Sequence, residues 1–200
     1  FVPFTNYHIA MLYDLGMQSE GAEEAYKIAV KSESVRSFRM IDAYGRFLER
    51  QGRPDEAKAL YAKSLKHLVN NPVLLKAMDR IEKGTKPDRL VNRPEEGFSE
   101  ALYTAASALS QDRAHESATI YLQLAVFARP DFELAYLLLA RQFESAGRWQ
   151  DALNQYQKID TNGALGWETQ FQLAHSLERL DRLDEAVTLL RAMARSRTDD

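Results

Sequence analysis

Three alanines, Ala118, Ala152 and Ala186, recur at a spacing of 34 residues, and each heads the same short pattern. Position +4 holds Leu122, Tyr156 or Leu190, and position +7 holds Ala125, Ile159 or Met193. A fixed period of this length constrains the fold more than any other feature of the chain. One helical hairpin cannot bury its apolar face until a neighbour covers it, so the sequence predicts a stack of like hairpins rather than a single enzyme core. Two earlier copies, in shifted register, read Ala57, Tyr61, Ser64 and Ala22, Tyr26, Ala29, which makes five in all.

Upstream of each copy lies a first helix of common design: Ile9, Ala10, Tyr13; Tyr44, Gly45, Leu48; Ala105, Ala106, Leu109; Leu139, Ala140, Phe143; Leu173, Ala174, Leu177. The middle residue is always Gly or Ala, as close helix approach demands, and a larger side chain there should cost about 1–3 kcal/mol by overpacking. These residues resemble the tetratricopeptide repeat family, which pairs large-x-x-large-small-x-x-aromatic on helix A with Ala-x-x-x-aromatic-x-x-Ala on helix B. The resemblance covers residues 3–71 and 99–200, and the third copy ends in the family's proline as Pro130. The chain departs from the family pattern where Ser34, Val69, Ala164 and Thr198 replace that proline, and no helix A opens with Trp. The resemblance implies an all-α fold, an α-α superhelix of antiparallel hairpins with one irregular interruption.

The hairpin turns share a further feature. Gly52 and Gly147 are placed to stop helix A in the left-handed conformation, whereas Asp112 and Asp181 stand at that place in two other copies, and in the first Gly16 sits beside Met17. The period breaks between Ala57 and Ala118. Pro72 to Lys83 reads as an extra helix, with proline at its start and Gly84 past its end. Residues 85–97 carry Pro87, Pro94 and mixed charge around the apolar pair Leu90 and Val91, and are expected to be irregular. They read either as a connector or as a segment whose Leu90 and Val91 lie in the groove and compete with a ligand. The expected organisation is a first block over 1–83, a linker over 84–98 and a second block over 99–200. Because the sequence opens at Phe1 in the middle of a repeat-like pattern, it is expected to be part of a longer protein.

Composition narrows the function classes. A net charge of -3 and a pI near 5.9 argue against a nucleic-acid backbone as partner, which draws on a concentrated basic surface. The longest uncharged run, Ser117 to Ala128, is 12 residues, short of the ~20 that a membrane-spanning helix needs. The chain has no cysteine, which removes thiolate chemistry and Cys-based metal sites. His8, His67, His115 and His175 are scattered without a partner at i+4, and Gly84-Thr85-Lys86 lacks the glycine and the strand of a phosphate loop. No catalytic constellation, metal site or cofactor is expected.

In the tetratricopeptide family helix A forms the concave wall, and positions i, i+4 and i+7 share a face. The resemblance therefore implies a groove lined by Tyr7, Met11 and Asp14; Asp42, Arg46 and Glu49; Tyr103, Ser107 and Ser110; Leu137, Arg141 and Glu144; Phe171, His175 and Glu178. An apolar ladder between basic and acidic rows suits an extended peptide or a partner helix. The alternative is that the aromatics pack between helices and the charges form a solvated face. The carboxylate clamp of co-chaperone members is absent, since Tyr7, Met11, Glu100 and Thr104 stand at its positions.

The leading expectation is a non-catalytic scaffold that binds a protein or peptide. The chain is also similar to long alphaproteobacterial members of the family, some of which are exported and support the cell envelope, and this implies periplasmic partners, with a cytoplasmic location as the alternative. A second reading is a regulatory segment of a larger enzyme or signalling protein. A third is self-association through the last helix, where Val187, Leu190 and Met193 have no following repeat to cover them. Since isolated helices of about 12–15 residues are marginal in water, the stack depends on its interfaces. Ala140→Leu should therefore lower protection from hydrogen exchange most in the helices beside Ala140. A uniform loss along the chain would contradict a stack of hairpins.

Overall fold

The computed structural model describes residues 2–31 and 37–196; Phe1, Ser34 and Thr198 lie outside them. Among the described residues the regular structure is all helical. In chain order the helices are α1 (Val2–Leu15), α2 (Ser19–Lys31), α3 (Phe38–Arg50), α4 (Pro54–Leu65), α5 (Pro72–Glu82), α6 (Pro94–Gln111), α7 (His115–Ala128), α8 (Glu133–Ser145), α9 (Trp149–Tyr156), α10 (Gly166–Arg179) and α11 (Leu183–Ser196). The chain divides into two compact units, Phe1–Gly97 and Phe98–Asp200, and the division falls after the first turn of α6. Of the residues 84–98 expected to be a linker, 84–97 fall in the first unit and Phe98 in the second.

In the first unit α1 packs on α2 and α3 on α4, and α5 lies against both α3 and α4. In the second, α8 packs on α9 and α10 on α11, while α7 lies against α8 and α9 against α10. The periodic small residues are buried. Ala10, Ala106 and Ala140 of the first helices and Ala22, Ala57, Ala118 and Ala152 of the second are fully buried. Gly45 takes the place of alanine for a local reason: a Cβ there would lie 2.2 Å from the Tyr61 ring, which fills the space. Around these contacts sit the large members of the pattern, and in the first unit Tyr26 stacks on Tyr44 with centroids 5.6 Å apart and meets Phe47 at 5.4 Å.

Helix starts follow local chemistry. Ser37 accepts a hydrogen bond from the Arg39 amide at 3.2 Å, and Asn71 accepts one from the Leu74 amide at 3.1 Å ahead of Pro72. Every first helix ends in the same pair of backbone hydrogen bonds. In α3 the Gly52 amide donates to the Glu49 carbonyl at 3.1 Å and the Arg53 amide to Leu48 at 2.9 Å. The same two bonds close α1 at Met17 and Gln18, α6 at Arg113 and Ala114, α8 at Gly147 and Arg148, and α10 at Asp181 and Arg182. The residue between them is left-handed in each case, with φ of 57° at Met17, 77° at Gly52, 60° at Arg113, 70° at Gly147 and 60° at Asp181. One expectation is corrected here: Arg113 rather than Asp112 adopts the conformation that favours glycine, while in the first copy it is Met17, beside Gly16, that does so. The hydrogen bonds fix the position by count from the helix, whatever residue occupies it.

The last helix also departs from expectation in part. Met193 is buried, while Val187 and Leu190 remain about two-fifths exposed. A second apolar stripe runs along α7, where Ile120, Leu124 and Phe127 share a face and Phe127 is 86% exposed.

Left-handed backbone costs a non-glycine residue about 1–2 kcal/mol. Replacing Arg113 or Asp181 by glycine should therefore raise the unfolding free energy, by about 0.5–1 kcal/mol each after the added flexibility of the unfolded chain is subtracted. Urea titration of Arg113→Gly against Gly147→Arg, which should lose stability, checks the sign.

Candidate protein-binding site

The two units present their first-helix faces differently. In the first unit the structure buries Tyr7, Met11, Asp14, Asp42 and Glu49 instead of exposing them along an open groove. Arg46 is half-buried and donates to Asp42 Oδ1 at 2.9 Å, while Arg39 approaches Asp42 Oδ2 at 3.7 Å. Asp42 thus sits between two guanidinium groups of its own helix, at the i-3 and i+4 positions that face it.

The acidic third positions tie one first helix to the next. Asp14 at the end of α1 meets Arg50 of α3, and Glu49 at the end of α3 meets Arg80 of α5. Arg80 is bidentate, with Nε 3.0 Å from Glu49 Oε2 and Nη2 2.6 Å from Oε1, and the Tyr61 hydroxyl donates to the same Oε1 at 2.9 Å. Such a charge-assisted fork is geometrically specific, and in a buried setting removal of one partner leaves the other uncompensated. In the second unit the Ser176 hydroxyl reaches Glu144 Oε1 at 3.5 Å, at the corresponding place between α8 and α10. The acidic row therefore serves helix packing before it serves any ligand.

The face of α8 and α10 is open. Leu137 is buried, but Arg141 is exposed and pairs with Glu168 of α10, and Glu144 is half-buried. Phe171 is 56% exposed, and His175 and Glu178 are exposed on the same helix. His175 meets the Trp149 ring edge-on with centroids 5.4 Å apart, and Arg179 lies 4.9 Å over that ring. Trp167 was not reached by sequence reasoning, yet it stands one turn before Phe171 and is 49% exposed. The i, i+4 spacing of Trp167 and Phe171 was the available signal. Tyr103 is half-buried against Phe132, with centroids 5.1 Å apart, and Ser107 and Ser110 donate to their own helix at Tyr103 and Ala106.

Chemically, this surface can dock apolar side chains on Trp167 and Phe171 and orient them with charges on either side. The described residues contain no group of three or more His, Asp or Glu side chains suited to a metal, and no described helix is long and apolar enough to cross a membrane.

Burial pushes the Tyr61 hydroxyl well above its ordinary value near 10, helped by the charges of Asp42 and Glu49. Its folded pKa being raised, the stabilisation is complete below about pH 10 and is lost as pH rises beyond it, because only the unfolded chain then releases the proton. The urea midpoint should therefore fall between about pH 9 and 11, and less steeply in Tyr61→Phe. An identical pH slope in the two proteins would show that Tyr61 titrates normally.

No protein-family model and no curated protein matches the sequence. Similar solved structures include two of MamA, one at 19% identity and TM-score 0.47 over 96% of each chain. The other has 18% identity and TM-score 0.43 over 95% of this chain and 88% of that one. A structure of PilW, a widely conserved type IV pilus biogenesis factor, is similar at 19% identity and TM-score 0.39 over 95% of this chain and 77% of that one. The residues of the chain itself carry what can be said of its fold: a 34-residue period, paired helices and buried small side chains, the pattern that resembles the tetratricopeptide repeat family.

Proposed function

We propose that the chain is a non-catalytic scaffold that binds a protein or peptide through the exposed face of α8 and α10. The observation that carries this reading is the aromatic stripe of Trp167 and Phe171, left about half exposed on the helix whose Leu177 is buried. Large aromatics that can be desolvated on contact dominate binding energy in protein interfaces, and flanking charges set register more than affinity. Arg141, Glu168, His175 and Glu178 supply such flanks, and a partner segment with apolar anchors one helical turn apart would match the stripe. The resemblance to exported family members supports placing this partner in the bacterial periplasm, in the service of the cell envelope.

The test is a quantitative pull-down from lysate of the source cell, with the parent chain and an Arg141→Ala, Phe171→Ala variant shown by circular dichroism to be folded. A protein recovered with the parent and reduced at least about tenfold with the variant is expected, since loss of one interface aromatic costs on the order of 2 kcal/mol. Equal recovery by the two baits would overturn the assignment of this face. Fractionation of the partner with the periplasm rather than the cytoplasm would support the envelope role.

A further inference from the structure

The segment between α5 and α6 stands where a second helix of a hairpin would be. Helix α5 ends as the other first helices do, with the Gly84 amide donating to Ile81 at 3.0 Å, the Thr85 amide to Arg80 at 3.2 Å, and φ of 68° at Gly84. No second helix follows. Pro87 disfavours helical backbone at Lys86, and the chain stays irregular until α6 begins at Pro94. Its other end is fixed by Glu96, which accepts from the Asn92 amide at 2.7 Å and from Arg93 Nε at 3.1 Å.

Between these anchors the segment returns to the first helix of the unit. Arg89 Nε lies 3.5 Å from Asp14 Oδ1 at the end of α1, and Leu90 and Val91 are buried in the same apolar cluster as Tyr7, Met11 and Ile41. Pro87 is buried as well. Two helix spacings of about 9 Å separate α5 from α1, and five extended residues from Gly84 cover a similar distance. The comparison with the second unit is informative, because α8 like α1 is followed by another first helix. Leu137 and Tyr7 are both buried, but at the next position Arg141 is exposed while Met11 is buried, and at the third Glu144 is half-buried while Asp14 is buried. An additional element covers α1, and residues 87–91 are in position to be it.

We propose that residues 87–91 act as a built-in ligand of the first unit, and that the face they cover binds an extended peptide carrying a basic residue followed directly by two aliphatic ones. Asp14 is the acceptor for the basic residue, and the surface that includes Tyr7 and Met11 takes the aliphatic pair. An external peptide of this chemistry competes with a segment tethered at both ends, whose effective concentration is on the order of millimolar. The first face is therefore closed to weak ligands.

The test uses a labelled nonapeptide of residues Thr85–Arg93 and the whole chain, so it does not depend on whether the Phe171 face captures a partner. Fluorescence anisotropy is measured for the parent and for an Arg89→Ala, Leu90→Ser, Val91→Ser variant. The variant is expected to bind the peptide at least about tenfold more tightly than the parent, and to lose that binding when Asp14→Asn is added. Equal binding by parent and variant, or no binding by a folded variant, overturns the proposal. If the triple variant does not fold, hydrogen exchange on Arg89→Ala decides. Faster exchange confined to residues 86–93 supports a displaceable ligand, whereas loosening of α1 and α3 together with them shows that Leu90 and Val91 are ordinary core.

Discussion

The close approach of paired helices at alanine or glycine is the constraint on which the rest of the structure depends. With Ala10 and Ala22 fully buried in one hairpin, and Ala140 and Ala152 in another, the helix backbones can approach closely enough for larger neighbours to interlock around them. Tyr26, Tyr61, Leu122 and Tyr156 fill the same relative position in successive second helices, and all are buried. Gly45 is the limiting case, in which even a methyl group would collide with the Tyr61 ring. Each hairpin thus satisfies itself at the crossing and leaves its outer surfaces to a neighbour, which is the physical content of a repeat stack.

Charge is used differently on the two units. Asp14 and Glu49 are drawn into forks with Arg50 and Arg80, and the Tyr61 hydroxyl supplies Glu49 with a further bond. These groups hold first helices side by side. Arg141 and Glu168 form a pair that stays in solvent, where ion pairs contribute little to stability and can be exchanged for contacts with a partner. Exposure of Phe171 and Trp167 beside that pair gives the second unit a surface with both an apolar anchor and adjustable charges.

The five hairpins, their small residues and the extra helix were legible in the sequence because they depend on periodicity and on local capping. The end of α6 was read one residue early, at Asp112, because composition pointed to a residue that tolerates left-handed backbone while the hydrogen bonds chose Arg113. The candidate face was legible only in part. Helical spacing placed Phe171, Arg141, His175 and Glu178 on exposed surface, but it could not report that Tyr7, Met11 and Asp42 are buried. That burial involves contacts distant in sequence, Asp14 with Arg50 and Arg89 among them, which no local pattern encodes. Met193, expected to be left uncovered, is buried, which its spacing alone did not report.

The shared ending of the first helices has a consequence for how such a chain can vary. Two main-chain hydrogen bonds and one left-handed residue set the turn into the next helix, and methionine, arginine and aspartate occupy that residue as well as glycine. The angle between paired helices is therefore insulated from side-chain drift. A hairpin can be redecorated on its outer face, repeat by repeat, without changing the direction in which the chain continues, so recognition can diverge while the geometry that presents it is inherited intact.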